Sequence, residues 1–359
     1  MKRNVVIVAL FFGLFVMSVH ATQRPLEIEA YKYHQKLMER QFGYLENSIR
    51  DARESYATIS DGQPLAAVIH DGVSGCKSLG CGFPRSLEEW KDKESRLIEW
   101  NDHYPESPSA QIALARYYYE LGWYHRGGGF SSSVSEDEKI LYQQNVAVAK
   151  EKLEALPTAT KEDPAWYTAM LAVGISQGWH RDIFNPIFEE ATGKYPDYLP
   201  LYFRKGKYVN PWWHGSFDEF KDYVEETEMR ADEPLSKHLY ARLHWATGRR
   251  DAFESGLTDW ERMRSSFEAL VSAYPDLWNL NHFARYACLA GDAETLGRLL
   301  VEIGENRRLQ AWFNDPGVYH ACKLFAWEHN PALFSRTPTV NPTGISHSSS
   351  PVREERKPD

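Results

Sequence analysis

The chain has 359 residues, of which 43% are hydrophobic and 14% aromatic, with a net charge of −9 and a pI near 5.8. That much apolar surface excludes low-complexity disorder for most of the chain, and an acidic balance without a long basic run argues against nucleic-acid binding. The length exceeds one small core and suits two domains or one extended solenoid.

Residues 1–21 read as a secretory signal peptide. Lys2 and Arg3 form its charged start, residues 5–17 are apolar, and Val19 and Ala21 occupy the small-residue positions before a cut after Ala21. The apolar run is shorter than the roughly 20 residues a spanning helix needs, no Cys follows it closely, and no later stretch could span. The expectation is a secreted or periplasmic protein with no membrane span in the mature chain.

Residues 22–85 form an N-terminal segment. Leu37, Phe42, Leu45, Ile49 and Tyr56 recur at helical spacing and predict one or two helices. Residues 60–84 are Gly-rich and predict a loop. Its GCKSLGCG run places four residues between Cys76 and Cys81, close enough for a disulfide.

Residues 86–332 carry a repeated helical pattern. Capping boxes are expected at Ser86–Glu89, Ser135–Glu138, Ser216–Glu219 and Thr258–Glu261, where hydroxyl and carboxylate satisfy the first amides of a helix. Trp90, Leu97 and Ile98 mark one face of the first. Ser107-Pro108 starts the next helix, which runs to His125 and the Gly127-Gly128-Gly129 turn. Asp163-Pro164 opens another, closed at Gly178, and Pro186 limits how far its partner reaches upstream. Tyr195-Pro196-Asp197 and Tyr274-Pro275-Asp276 repeat a turn before a helix, and Gly291-Asp292 breaks the last clear hairpin. Pro164 and Pro196 lie about 32 residues apart and Pro275 a further 79 or so on, against ~34 for a tetratricopeptide unit. The pattern predicts an all-α, tetratricopeptide-like α-solenoid of stacked helix hairpins with roughly ten to thirteen helices. Cys288 and Cys322 fall within helical patterns; the sequence leaves their pairing open, with buried thiols the simpler reading. Residues 333–359, rich in Pro, Ser, Thr and charge, read as a disordered tail.

Four segments carry a closer likeness: ALARYYYELGWYHRGGG from Ala113, YPDYLPLYF from Tyr195, DWERMRSSFEAL from Asp259 and WNLNHFARYACLAGD from Trp278. In this order they resemble a bacterial tetratricopeptide-repeat-like family of unknown function, over roughly residues 86–328. The resemblance implies a helical-repeat fold and a bacterial source, and no catalytic residue.

The motifs of chemistry are thin. There is no His-Glu-x-x-His and no Cys-x-x-Cys, so neither a metal site nor a cofactor is expected. Asp71-Gly72-Val73-Ser74-Gly75 lacks the second Gly of a hydrolase elbow, which would fall at Cys76. Two groups stand out as contact candidates. In the first, Arg126 beside Gly127 and Gly128 supplies charge and open backbone amides for an anion, with His125 as a base; the competing reading is a flexible helix exit. The second is aromatic: Trp212, Trp213 and His214 sit at a helix-ending turn, where two adjacent indoles cannot share one core stripe. Tyr202, Trp260 and Trp278 read instead as wedges between hairpins. The leading expectation is a non-enzymatic interaction module with a protein or peptide partner. The alternative is an envelope enzyme or glycan-binding protein using the His125–Gly129 loop and exposed aromatics.

Overall fold

The computed structural model describes residues 24–247 and 251–334. The signal peptide expected over residues 1–21 lies outside them, as does the tail from residue 335. Among the described residues the regular structure is sixteen α-helices with four short 3₁₀ turns and no strand. The chain is all-α, as its periodicity predicts.

The N-terminal segment holds α1 (Pro25–Met38), α2 (Phe42–Glu54) and α3 (Leu65–Ser74). The helices α4 (Leu87–His103), α5 (Pro108–Arg126), α6 (Glu136–Glu154), α7 (Pro164–Gln177), α8 (Arg181–Lys194) and α9 (Leu199–Val209) follow. After them come α10 (Phe217–Arg230), α11 (Leu235–Ala246), α12 (Trp260–Ala273), α13 (Leu277–Leu289) and α14 (Ala293–Ile303). The chain ends in α15 (Pro316–His329) and the single turn α16 (Pro331–Phe334). The count exceeds ten to thirteen; α16 is a single extra turn, and α3 occupies a stretch expected to be loop. Nine of the ten α3 residues are buried. A helix apolar on every face shows no stripe, and its glycines read as punctuation.

Helix boundaries follow local chemistry. Ser107, Asp163, Asp276 and Asp292 each accept a backbone N–H from the first turn of α5, α7, α13 and α14. Gly178 ends α7 in the left-handed region. Of the four expected capping boxes, Ser135–Glu138 forms in full. Glu89 turns to the Arg85 amide and Glu219 to Arg181. At the fourth, Asp259 is the cap, because the Thr258 hydroxyl is held by His244 Nδ1 at 3.0 Å. Pro186 sits inside α8, which begins at Arg181, five residues upstream, further than expected.

Each helix packs on its chain neighbour, and alternate helices also touch: α5 on α7, α7 on α9, α9 on α11, α13 on α15. Two layers result. The inner helices are covered on most faces: α7 buries twelve residues of fourteen and α13 ten of thirteen. The outer helices bury one stripe, such as Val146, Ala149 and Leu153 in α6. In α4 the stripe is Trp90, Lys93, Leu97 and Trp100; Ile98, expected on it, is turned outward. One apolar cluster runs from Ile112 to Ala326, and a second joins Tyr33 and Leu45 to Trp90, Trp100 and Tyr117 across residue 86. Each large side chain fully buried there contributes about 1.5–3 kcal/mol relative to exposure.

All four cysteines are paired. Cys76 is bonded to Cys81 within its loop, and Cys288 at the end of α13 is bonded to Cys322 of α15, with 5.7 Å between their α-carbons. The second bridge corrects the buried-thiol reading. One repeat of separation brings α15 back beside α13, which sequence spacing alone does not show.

Candidate functional site

The site is organised by the loop 58–64. Its base is closed by an antiparallel bridge between Thr58 and Pro64, with the Ile59 amide donating to the Gln63 carbonyl at 2.9 Å. Its tip reaches helices far along the chain. The Asp61 carbonyl accepts from Arg242 Nη2 of α11 at 2.5 Å and from Asn279 Nδ2 of α13 at 3.2 Å. Gly62 makes this approach possible. Its φ is +86°, and a Cβ there would lie 2.5 Å from both Arg242 and Tyr274. The loop borders two cavities and lends them different residues.

The first cavity, about 440 Å³, takes Asp61 and Gln63 from the loop. Arg24, Arg204, Lys207 and Arg242 also line it, with the indoles of Trp212, Trp213, Trp245 and Trp278. Asp61 is the one carboxylate among its lining residues, and it is engaged by the amide and side chain of Gln63. None of the four cations is ion-paired among the described residues. Arg204 makes no side-chain hydrogen bond there either, and Arg242 Nε donates to His238 Nδ1 at 3.2 Å. Lys207 Nζ lies 4.2 Å from the ring centre of Trp213 and 4.9 Å from that of Trp123. Burial pulls its ammonium down to about 7, with Arg204 and Arg126 adding to the fall and Glu120 opposing it. A cationic cavity of this kind, within a chain of net charge −9, favours an anion.

A spine of buried polar groups, which sequence reasoning missed, fixes the N-terminal segment beside this cavity. Lys93 Nζ donates to the Gly72 and Val73 carbonyls at 2.8 and 2.9 Å, capping the end of α3. Burial holds its ammonium near 7, against Glu120. Arg116 of α5 pairs with Asp71, and Glu120 accepts from the Ser78 amide and hydroxyl, each at 2.6 Å. Asp163 lies 3.6 Å from His70 and 3.1 Å from Arg53. Burial would raise the Asp163 carboxyl, but His70 and Arg53 outweigh it and hold it at about 2. The only sequence signal for this spine is polar residues at core-facing helical positions.

The contact candidates are brought together in part. Arg126 stacks over Trp123, whose ring centre lies 6.1 Å from that of Trp213. Arg126 Nη1 also donates to the Gly127 and Gly129 carbonyls, so it holds its own loop in place. Gly127 ends α5 at φ +70°, and a side chain on Gly127 or Gly128 would meet nothing within 4 Å. Trp212 is 69% exposed, Trp213 is half-buried, and both line the cationic cavity. His214 is elsewhere occupied: its Nε2 lies 2.6 Å from the Ile175 carbonyl and its ring packs on Tyr208. His125 packs on Tyr124, burial lowers its pKa, and neither it nor Arg126 lines the cationic cavity. Ser74 is fully buried. Tyr202 and Trp278 are core as expected, and Trp260 is half-buried with its Nε1 donating to Asp292. No group of three or more His, Cys, Asp or Glu is placed to hold a metal ion among the described residues, and no helix there is long and apolar enough to cross a membrane. No protein-family model matches the chain, and no match was found among curated proteins or solved structures.

Proposed function

We propose that the chain is an exported helical-repeat binding protein that receives an acidic segment of a protein or peptide partner in its cationic, indole-lined cavity. The observation that carries this reading is four cations lining one cavity without an ion pair among the described residues, beside a single engaged carboxylate. Charge-assisted hydrogen bonds to a carboxylate or phosphate complete such groups, and indole faces supply apolar contact. Export is supported by the leader-like residues 1–21 and by two disulfides, which persist in oxidising compartments. The cationic cavity is preferred to the His125–Gly129 loop of the enzyme alternative because His125 and Arg126 do not line it.

The test is calorimetric titration of the mature chain with short acidic peptides, their amidated neutral analogues and acidic oligosaccharides. Acidic peptides are expected to bind and the neutral analogues to fail. Arg204→Ala and Lys207→Ala should each weaken binding by about 10–100-fold, the loss of one charge-assisted bond of about 1.5–3 kcal/mol. Preference for the oligosaccharides, lost on Trp212→Ala, would replace this reading with the glycan-binding one. Equal binding by the double variant would overturn it.

A further inference from the structure

Of the two cavities beside the loop 58–64, the larger, about 820 Å³, carries both signs of charge, with Glu46, Glu54 and Asp197 against Arg50, Arg53 and Lys194. The cationic cavity has one sign in excess and, among its cations, one amine. We propose that Lys207 captures small 2-oxo carboxylic acids covalently, as an imine at Nζ, with Arg204 receiving the carboxylate. This capture rests on the anion-favouring reading of the cavity and adds a covalent step to it.

Lys207 differs from the other buried lysine. Lys93 spends its ammonium on the Gly72 and Val73 carbonyls. Lys207 lines the cavity, and its Nζ rests on the Trp213 and Trp123 rings with no hydrogen-bond acceptor and no ion pair among the described residues. Its charged neighbours are Arg204, Arg126 and Glu120, and burial with the two arginines outweighs Glu120 to favour the free base near pH 7. An unprotonated lysine amine beside another cationic group is a nucleophile toward carbonyl carbon. Arg204 and Lys207 stand three residues apart on α9, so their side chains leave the same helix face. Arg204 makes no side-chain hydrogen bond or ion pair among the described residues, which leaves its fork open to a carboxylate. In a 2-oxo acid the carboxylate and the ketone are adjacent carbons. A carboxylate held by Arg204 therefore presents the ketone to an amine on the same face.

The step balances without a further reagent. The Nζ lone pair forms a C–N bond to the ketone carbon, and the C=O π pair moves to oxygen. That oxygen takes one proton from the amine and one from solvent and leaves as water. The product is a protonated C=N, with the carboxylate still on Arg204.

The experiment incubates the mature full chain with pyruvate and cyanoborohydride, which reduces an imine to a stable amine, and locates adducts by peptide mass spectrometry. Acetone serves as the uncharged ketone and lactate as the anion without a ketone. Near pH 7, pyruvate is expected to label Lys207 about tenfold or more above any exposed lysine, whose amine is still protonated there. Acetone should label Lys207 weakly, and lactate should compete. Arg204→Ala should cut labelling about tenfold or more, the loss of one charge-assisted bond. Lys207→Arg keeps the charge and should lose the adduct, with circular dichroism to show that each variant folds. Mapping on the wild-type chain decides the site whether or not a variant folds. Labelling spread evenly over the lysines, or undiminished by lactate or by Arg204→Ala, would overturn the proposal. Lactate binding by calorimetry without an adduct at Lys207 would overturn the covalent step and leave the anion reading standing. No lactate binding with equal labelling by acetone would overturn both.

Discussion

Replacing Cys288 and Cys322 together by alanine tests whether the C-terminal hairpins depend on their cross-link. The bridge closes a 34-residue separation, and chain-entropy scaling gives about 3.8 kcal/mol for a loop of that length. The Cys76–Cys81 bridge spans only 5 residues and gives about 2 kcal/mol on the same scaling. The larger loss should also be local. α15 buries only Tyr319, Cys322 and Ala326, so little apolar contact substitutes for the bond. Urea unfolding of the oxidised wild type and the double variant measures the total. Hydrogen exchange should show faster opening across α14 and α15 while α5 to α9 stay protected. Trp312, fully buried with its Nε1 donating to Asn281 at 2.8 Å, offers a fluorescence probe of the same region. An unchanged urea midpoint, or four titratable thiols in the denatured, unreduced protein, would refute the reasoning.

Phe184 is fully buried and stacks on Tyr208 at 3.9 Å, so Phe184→Ala should cost about 3–5 kcal/mol by chemical denaturation. Ile183→Ala next to it, at a position 53% exposed, should stay within about 0.5 kcal/mol. Burial holds His238 and His244 near 3, well below the unfolded value of 6.5, so the unfolded chain binds more protons and stability falls as pH drops from 6.5 toward 3. Asp163, held at about 2, adds stability that is present above 3.8 and lost as pH falls toward 2. Stability that stays flat from pH 7 to 3 would contradict this. Affinity of the first cavity for an acidic ligand should fall as pH rises through about 7, where Lys207 loses its proton, and Lys207→Met should abolish that dependence in a pH-resolved titration. Gly62→Ala should displace the loop 58–64, because the new methyl would meet Arg242 and Tyr274 in a backbone conformation L-residues avoid. Weaker binding of acidic ligands in the first cavity is the expected readout, and an intact affinity would show that the loop does not shape it.

What the sequence discloses and what it hides divide along physical lines. Outer helices such as α12 are legible because Met263, Phe267 and Leu270 recur on one face against solvent on the other. The turns before α13 and α14 are legible because Asp276 and Asp292 cap within a few residues. Helix α3 is not, since covering it on all sides erases the period that would announce it. The cationic cavity was glimpsed through Trp212 and Trp213, whose adjacency makes a shared core face impossible. Its charges were not, because Arg24, Arg204, Lys207 and Arg242 come from distant stretches that converge only in three dimensions. At the Arg126 loop the sequence offers two readings, a ligand loop and a helix exit, and the guanidinium donates to its own loop carbonyls.

The reach of residue 61 to residues 242 and 279 bears on how the chain is assembled. An open array of repeats can nucleate anywhere, propagate between neighbours and tolerate shortening by whole units. Here the loop at residue 61 reaches α13, a contact across more than two hundred positions, and contacts of such sequence separation slow acquisition of the finished state. Deleting the last two hairpins would therefore strip a partner, Asn279, from the loop 58–64 near the opposite end of the described residues.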